Sequence, residues 1–418
     1  MFSCKDRDKV APTVSISEPS SDNKLFRYGE GITVKGIAED DRNIEQIRIV
    51  VKNSNTEQTV LQPIIVTLNN QNPIEFEEVI QLSDIKMKGG NYYFSVEVSD
   101  GENFSFAFRK FIYAEANKKR EGLWLINSSD DEREFILFDE NIENPNLILA
   151  ENRGISHVAY SAYDQSIAVA GNKNHPFEIY TLSDLSTRNE IPSLNEPFFE
   201  YFTSLDYHDQ YYYLGRYDSR LNGFSTFGST NFASNLIGGF FTTKSFYFEN
   251  QVVAFLRTIN TQQRKIATFF MTGEVKNEKN IDIEVVEIVR EANNRVLFLG
   301  NDDSGKSKTY TYNTESNLMF NSVNISQVGS LIKVKSITPD FIILAGTNGL
   351  FRLNALSQRI DPLYSINNII DLDFDVVNQQ VFVANTQSIS IFNLSDFSLI
   401  RSIPISKTPK RIFVHYNK

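Results

Sequence analysis

The sequence contains little cysteine and tryptophan, with one residue of each among 418. A single cysteine, Cys4, excludes an intrachain disulfide. Basic residues are outnumbered as well, because 41 Lys and Arg stand against 52 Asp and Glu for a formal net charge of −11. The longest basic run is 118–120, so nucleic-acid binding, which needs a concentrated basic face, is disfavoured. No apolar run approaches the roughly 18–20 residues with which a helix spans a bilayer.

Aromatic residues are abundant, with 33 Phe and 18 Tyr, and aromatic side chains favour β-strands. Within 13–114 the chain has about seven short strand-like runs separated by turn residues, and in the run 93–98 the apolar residues alternate. About a hundred residues of this kind predict an immunoglobulin-like β-sandwich, here without the cysteine pair of antibody domains. The charged segments on either side are predicted to be a tether, 1–12, and an interdomain linker, 115–121.

One short apolar phrase recurs seven times after the linker. The phrases are LWLIN from Leu123, IAVAG from Ile167, YYYLG from Tyr211, VVAFL from Val252, VLFLG from Val296, IILAG from Ile342 and VFVAN from Val381. Their starts are 44, 44, 41, 44, 46 and 39 residues apart. A period of about 40–45 residues with several strands per repeat is typical of a β-propeller. The fold class is therefore predicted to be all-β.

The end of the chain, 411–417, has the pattern of a first strand, but no second strand follows it. The phrase at Leu123, in turn, has no first strand before it. Pairing of these two segments would complete the first repeat and protect the sheet edges that an open ring exposes. We therefore predict a seven-bladed propeller over 122–418, closed by the C-terminal strand.

Two stretches resemble known families. The last repeat, with VFVAN from Val381, SISIFN from Ser388 and then Thr408-Pro409, resembles the YVTN class of bacterial propeller repeats. Ser3-Cys4 resembles the acylation site of bacterial lipoproteins, and the charged residues 5–8 resemble the export tag of Bacteroidetes-type surface lipoproteins. This resemblance implies a lipid on Cys4, a place on the outer-membrane surface, and a partner such as a TonB-dependent transporter or a secretion component.

Candidate catalytic and metal-binding residues are scattered. The four histidines, His157, His175, His208 and His415, show no metal-ligand spacing, and we interpret them as hydrogen-bonded residues of the surface or the channel. Acidic residues on predicted first strands could face the central channel and bind a cation. Alternatively they are solvated or pair with basic neighbours such as Lys333 and Lys335. These acids are Asp206, Glu284, Glu287, Asp371, Asp373 and Asp375.

Two further stretches resemble known sites in part. The stretch 301–307 resembles the Asp-box of sialidase-type propellers, but it occurs once and lies between second and third strands, so we interpret it as a hairpin turn. Asp40, Asp41 and Asp100 resemble the acidic loop ends that bind calcium in cadherin-like domains, although the ligand count falls short. We expect no cofactor and no metal.

Aromatic residues cluster in the loops that enter the third and fourth predicted blades, and these loops share one rim of the propeller. The candidate rim residues are Phe198, Phe199, Tyr201, Phe240 and Phe241. Exposed contiguous aromatics mark binding sites for protein or glycan. The alternative is that the rings pack between adjacent blades.

We therefore predict a non-enzymatic, surface-exposed lipoprotein that acts as a protein-binding or scaffold subunit of an outer-membrane complex for transport or secretion. The alternative is a carbohydrate-binding or carbohydrate-active propeller, whose catalysis would require two acids, or an acid with Tyr or His, converging on one face. A soluble periplasmic sensor domain is a third hypothesis.

Overall fold

The computed structural model of the protein describes residues 9–68, 72–194, 200–258, 262–321 and 323–418. Three of the predicted site residues, Cys4, Phe198 and Phe199, lie outside the described residues. The chain divides into two compact units, Met1–Asn117 and Lys118–Lys418.

The first unit consists of eight strands in its described part. They are β1 (Thr13–Glu18), β2 (Lys24–Arg27), β3 (Gly31–Glu39), β4 (Gln46–Asn53), β5 (Ile64–Ile65), β6 (Ile74–Gln81), β7 (Gly90–Ser99) and β8 (Phe104–Ala114). One sheet has the order β1-β3-β6 and the other β2-β8-β7-β4-β5. Alternate residues of the two sheets, among them Val34 of β3 and Val96 of β7, pack into one hydrophobic core.

In its described residues the second unit contains seven four-stranded sheets, and every strand pair in them is antiparallel. The strands of the first four sheets are β9 (Arg120–Ser128), β10 (Arg133–Phe138), β11 (Pro145–Glu151), β12 (Ile155–Ser161), β13 (Ser166–Gly171), β14 (Phe177–Thr181), β15 (Thr187–Ile191), β16 (Phe202–His208), β17 (Tyr211–Arg216), β18 (Leu221–Ser225), β19 (Thr230–Ala233), β20 (Phe240–Phe248), β21 (Gln251–Thr258), β22 (Arg264–Phe270) and β23 (Val275–Asn280). β9 begins inside the predicted linker.

Of the remaining strands, the first twelve form three sheets of four consecutive strands each, and the last belongs to the first sheet. They are β24 (Glu284–Ala292), β25 (Arg295–Asn301), β26 (Ser307–Asn313), β27 (Leu318–Asn321), β28 (Leu331–Thr338), β29 (Phe341–Gly346), β30 (Gly349–Asn354), β31 (Arg359–Tyr364), β32 (Ile369–Asp375), β33 (Gln380–Asn385), β34 (Ser388–Asn393), β35 (Leu399–Pro404) and β36 (Pro409–Tyr416). The helix in the described residues is a single 3₁₀ turn, Ser326–Val328, and none there is long and apolar enough to cross a bilayer.

The first sheet of this unit joins the two ends of its chain segment. Its order is β11-β10-β9-β36, so the C-terminal strand pairs with the strand that carries the first apolar phrase. In the antiparallel register Val414 lies opposite Leu123 and Ile412 lies opposite Leu125. The pairing predicted from the sequence pattern is therefore present.

Burial falls from the second strand to the fourth strand of each sheet. With β36 counted as the first strand of its sheet and β9 as the second, all seven apolar phrases lie on second strands. On β13 every residue is buried, because both faces of the strand are covered by neighbouring sheets. Fourth strands such as β35 alternate between exposed and half-buried residues. The second strands therefore form the core, and the fourth strands form the outer surface.

Replacing Ile412 by Ala is expected to lower the free energy of unfolding by about 2–4 kcal/mol, because its side chain is 1% exposed in the strand that completes the first sheet. The matched control is Ile400→Ala on β35, where 49% exposure predicts a change within about 0.5 kcal/mol. Urea denaturation followed by circular dichroism measures both. Equal losses in the two variants would contradict a stabilising role for the β9–β36 pairing.

Candidate functional site

The first strands of the seven sheets surround a central channel. In chain order, consecutive first strands contact one another from β12 through β16, β20, β24, β28 and β32 to β36. The circle closes where the Tyr160 ring of β12 stacks on the Phe413 ring of β36, with centroids 5.3 Å apart. Two cavities occupy the channel, a small one of about 270 Å³ and a large one of about 590 Å³, and both are lined by Asp206, Lys244 and Arg411.

Aspartates on first strands hydrogen-bond the main chain of the next first strand. Asp206 Oδ2 accepts the N–H of Ser245 on β20 at 2.8 Å. On β32, Asp371 Oδ2 accepts the N–H of Ile412 at 2.9 Å, and Asp373 Oδ2 accepts that of Val414 at 2.8 Å. The inner edge of a sheet presents N–H groups without a strand partner, and leaving them buried and unpaired would be costly. These carboxylates satisfy such groups and join neighbouring sheets.

The same acids also form ion pairs across the channel wall. Lys244 Nζ lies 2.7 Å from Asp206 and 3.2 Å from Glu287. Lys333 lies 3.2 Å from Asp371, and Lys335 lies 3.0 Å from Asp373. Of the predicted alternatives for these acids, the structure has the pairing with basic neighbours, and Asp206, Glu287 and Asp373 also line a channel cavity.

The last two of the six predicted acids pair away from the two cavities. Glu284 lies 3.2 Å from both Arg257 and Arg264. Asp375 is fully buried, lies 2.9 Å from Arg120 and accepts a hydrogen bond from the hydroxyl of Tyr416. Neither carboxylate lines a channel cavity.

The ionisation of the channel groups reflects this pairing. Burial alone would raise the pKa of Asp206, but Lys244, His208 and the hydrogen bonds to this carboxylate outweigh it and lower the pKa. Burial would lower the pKa of Lys244, but the charges of Asp206 and Glu287 raise it. Burial raises the pKa of Asp371 to about 7 against the opposing charge of Lys335. The Asp206–Lys244 pair is therefore charged at neutral pH.

Three of the histidines are buried or line the channel, but they do not form one cluster. His157 lines the small cavity and His208 the large one, where its Nε2 donates to the carbonyl of Ser245 at 3.1 Å. His415 lies outside both cavities, with its ring 6.2 Å from that of Trp124. Burial lowers the pKa of His157 and of His415 to about 4.

The described rim aromatics pack against neighbouring side chains. Tyr201 is 3% exposed, with its ring centroid 5.0 Å from that of Phe202, so it belongs to the core. Phe240 and Phe241 are half-buried at the start of β20. The ammonium of Lys265 lies 4.1 Å from the centroid of the Phe240 ring. These three residues therefore pack between sheets, which is the alternative to an exposed rim.

The stretch 301–307 spans the end of β25, the turn 302–306 and the start of β26, as interpreted from the sequence. Asp302 accepts hydrogen bonds from the N–H groups of Ser304 and Lys306, and Gly305 adopts a left-handed conformation with φ of 78°. Asp100 likewise accepts N–H groups of its own turn. Within the described ranges no three His, Cys, Asp or Glu side chains converge in a way that could hold a metal ion.

An exposed aromatic strip on β8 was not predicted. The side chains of Phe104, Phe106 and Phe108 are 62%, 52% and 57% exposed on the outer face of the five-stranded sheet. The rings of Phe106 and Phe108 stack with centroids 6.4 Å apart, and Tyr93 of β7 meets Phe108 edge-on at 5.7 Å. An apolar strip of this kind is unusual on a monomer surface and is typical of a binding surface.

Comparisons with known proteins support the fold. No protein-family model matches the sequence, and no curated protein does. A crystal structure of a quinonprotein alcohol dehydrogenase-like protein from Bacteroides thetaiotaomicron is similar, with a TM-score of 0.50, 10% identity, and coverage of 96% of this chain and 99% of that one.

Two other solved structures are also similar. A computationally designed protein, Ika8, has a TM-score of 0.49 at 10% identity over 70% of this chain and 90% of that one. The dihydro-heme d1 dehydrogenase NirN has a TM-score of 0.48 at 8% identity over 77% of this chain and 72% of that one. At such identity the likeness to the Bacteroides structure concerns the fold alone, and it confirms the predictions of an all-β class and a β-propeller.

Replacing Asp206 by Asn is expected to lower the free energy of unfolding by about 3 kcal/mol, because the buried ammonium of Lys244 loses its nearest carboxylate. The matched control is Asp361→Asn, which removes an exposed carboxylate 2.7 Å from Arg359 and should cost less than about 1 kcal/mol. Chemical denaturation at pH 7 compares them. Similar small losses in both variants would show that the Asp206 contacts are dispensable.

Acid should destabilise the protein through its buried histidines. His415 has an ordinary pKa of 6.5 in the unfolded chain and about 4 when folded, so the folded state binds its proton less readily. Its stabilising contribution is complete above pH 6.5 and is lost as the pH falls toward 4, by on the order of 2–3 kcal/mol. We expect His415→Gln to reduce the decrease in melting temperature between pH 7 and pH 4. A decrease equal to that of the unsubstituted protein would contradict this.

Proposed function

We propose that the protein is a non-enzymatic, lipid-anchored protein of the outer-membrane surface that acts as a protein-binding or scaffold subunit of a transport or secretion complex. Its two units would be an immunoglobulin-like β-sandwich and a seven-bladed β-propeller of the YVTN type. The aromatic strip of Phe104, Phe106 and Phe108 is the observation that carries the binding role.

The strip has the composition of a protein interface. Aromatic side chains are enriched at the centres of such interfaces, and charged side chains are depleted there and more frequent at the rim. Beside the three rings, Glu97 of β7 pairs with Arg48 at 3.5 Å and with Lys52 at 3.7 Å. An apolar centre with an adjoining charged border favours a folded protein partner.

The second unit supports a scaffold role through its channel. The channel carboxylates of Asp206, Asp371 and Asp373 each hold both a main-chain N–H and a lysine of another strand. Groups engaged in this way stabilise the ring, and this use favours a rigid platform over a catalytic pair of acids. The resemblance of Ser3-Cys4 to a lipoprotein acylation site supports the anchor.

A carbohydrate-binding or carbohydrate-active protein is the second candidate. The observation that favours it is the same strip, because exposed rings also form ligand-binding surfaces. A screen of glycans for binding and for cleavage products separates this candidate from the first.

The double variant Phe106→Ser, Phe108→Ser is expected to lose its partner in a mild-detergent pull-down from native membranes, whereas the unsubstituted protein should retain a stoichiometric outer-membrane protein. Both side chains are more than half exposed, so the fold should tolerate the change. The control is Phe227→Ser in the second unit, an exposed ring at 79%, which should retain the partner.

Co-purification that is unchanged in the double variant would remove the strip from the binding site. A pull-down without a partner, together with glycan binding, would favour the second candidate. Recovery of the protein from the soluble fraction of cells, unaltered by Cys4→Ser, would overturn the lipid anchor.

A further inference from the structure

The small cavity of the channel has a surplus of positive charge in an acidic protein. Lys333, Lys410 and Arg411 line it together with Lys244. Lys333 and Arg411 share one oxygen of the buried Asp371, Oδ1, at 3.2 and 3.4 Å.

The exposed Lys410 has no ion pair within the described part of the chain. Lys333 and Arg411 therefore share the one carboxylate of Asp371, and Lys410 adds a further positive charge to the cavity wall. Together with Lys244, which contacts both Asp206 and Glu287, four basic side chains face three carboxylates, and the formal surplus is one positive charge. The surplus is local, since the whole chain carries a net charge of −11.

Two polar groups that line the same cavity also lack a hydrogen-bond partner among the described residues. Arg411 Nε and Thr243 Oγ1 are buried, and neither has a hydrogen-bond partner among the described residues. Both residues line the small cavity. Burying a donor without an acceptor is unfavourable, so a ligand that brings acceptor oxygens to this wall would be stabilised. The charges of Lys410, Lys244 and Arg411 also add to burial in lowering the pKa of His157, which faces the cavity.

We propose that the small cavity is a binding site for a tetrahedral anion, a phosphate group that is either free or part of a small phosphate ester. A surplus of positive charge with unpaired donors matches an anion, and lysine and arginine are the usual phosphate-binding side chains. A volume of about 270 Å³ admits such a group. This inference does not rest on the proposed scaffold role, because the cavity lies in the channel and the aromatic strip lies on the first unit.

Isothermal titration of the full chain with inorganic phosphate, in a buffer of low ionic strength without phosphate, tests the site. We expect saturable binding of one equivalent that weakens as salt is added, because screening reduces the attraction of exposed charges. Lys410→Gln, which breaks no ion pair, should weaken binding about fivefold or more. The matched control, Lys306→Gln, replaces an exposed lysine of the β25–β26 turn and should bind as the unsubstituted protein does.

Further arms identify the source of the phosphate group. Tighter binding of a sugar phosphate than of inorganic phosphate would assign the site to an ester, and equal binding would assign it to the free anion. Binding of succinate as tight as that of phosphate would overturn the tetrahedral class. No saturable heat up to about 10 mM phosphate, or equal weakening in Lys410→Gln and Lys306→Gln, would overturn the site itself.

Discussion

The second unit depends on how the inner edges of its sheets are satisfied. Each first strand has a sheet partner on one side, and on the other side its N–H groups face the channel. Asp206, Asp371 and Asp373 supply acceptors to these groups on the following strand. Each of these carboxylates also pairs with a lysine of the channel wall, which offsets the cost of burying its charge. The charged lining is thus a consequence of closing the ring.

Much of this architecture could be predicted from the sequence, because its signals are local. The apolar phrases mark strands with both faces covered, and the unmatched segment 411–417 indicates the strand that β36 supplies. β2 has no counterpart among the predicted runs, since Lys24–Arg27 is too short to show a period and pairs in parallel with the distant β8. Which acid pairs with which lysine also depends on how neighbouring first strands, about forty residues apart, are shifted along the channel. The pattern within one repeat carries no information about that shift.

The aromatic residues show why exposure could not be predicted. On β8 the bulky apolar residues change parity along the strand, with Phe104, Phe106 and Phe108 at even positions and Phe111 and Tyr113 at odd ones. Because successive side chains of a strand point to opposite faces, one of these two sets must lie outside the core. The packing of the two sheets determines which set is buried, and in the structure Phe111 and Tyr113 belong to the core. For the rim loop, the run of aromatics was compatible both with exposure and with packing between blades. Tyr201, which directly precedes β16, turns into the core.

The charge surplus of the small cavity and the closure of the ring have one physical origin. Asp371 has two oxygens, and the N–H of Ile412 on the closing strand occupies Oδ2. Oδ1 alone then serves both Lys333 and Arg411, although each cation could use a carboxylate of its own. If Asp371 were free of the main chain, its two oxygens could serve the two cations separately. Joining β32 to β36 through this carboxylate therefore leaves basic side chains only partly satisfied at the channel wall, and an anion that enters there completes the pairing without disturbing the contact that closes the ring.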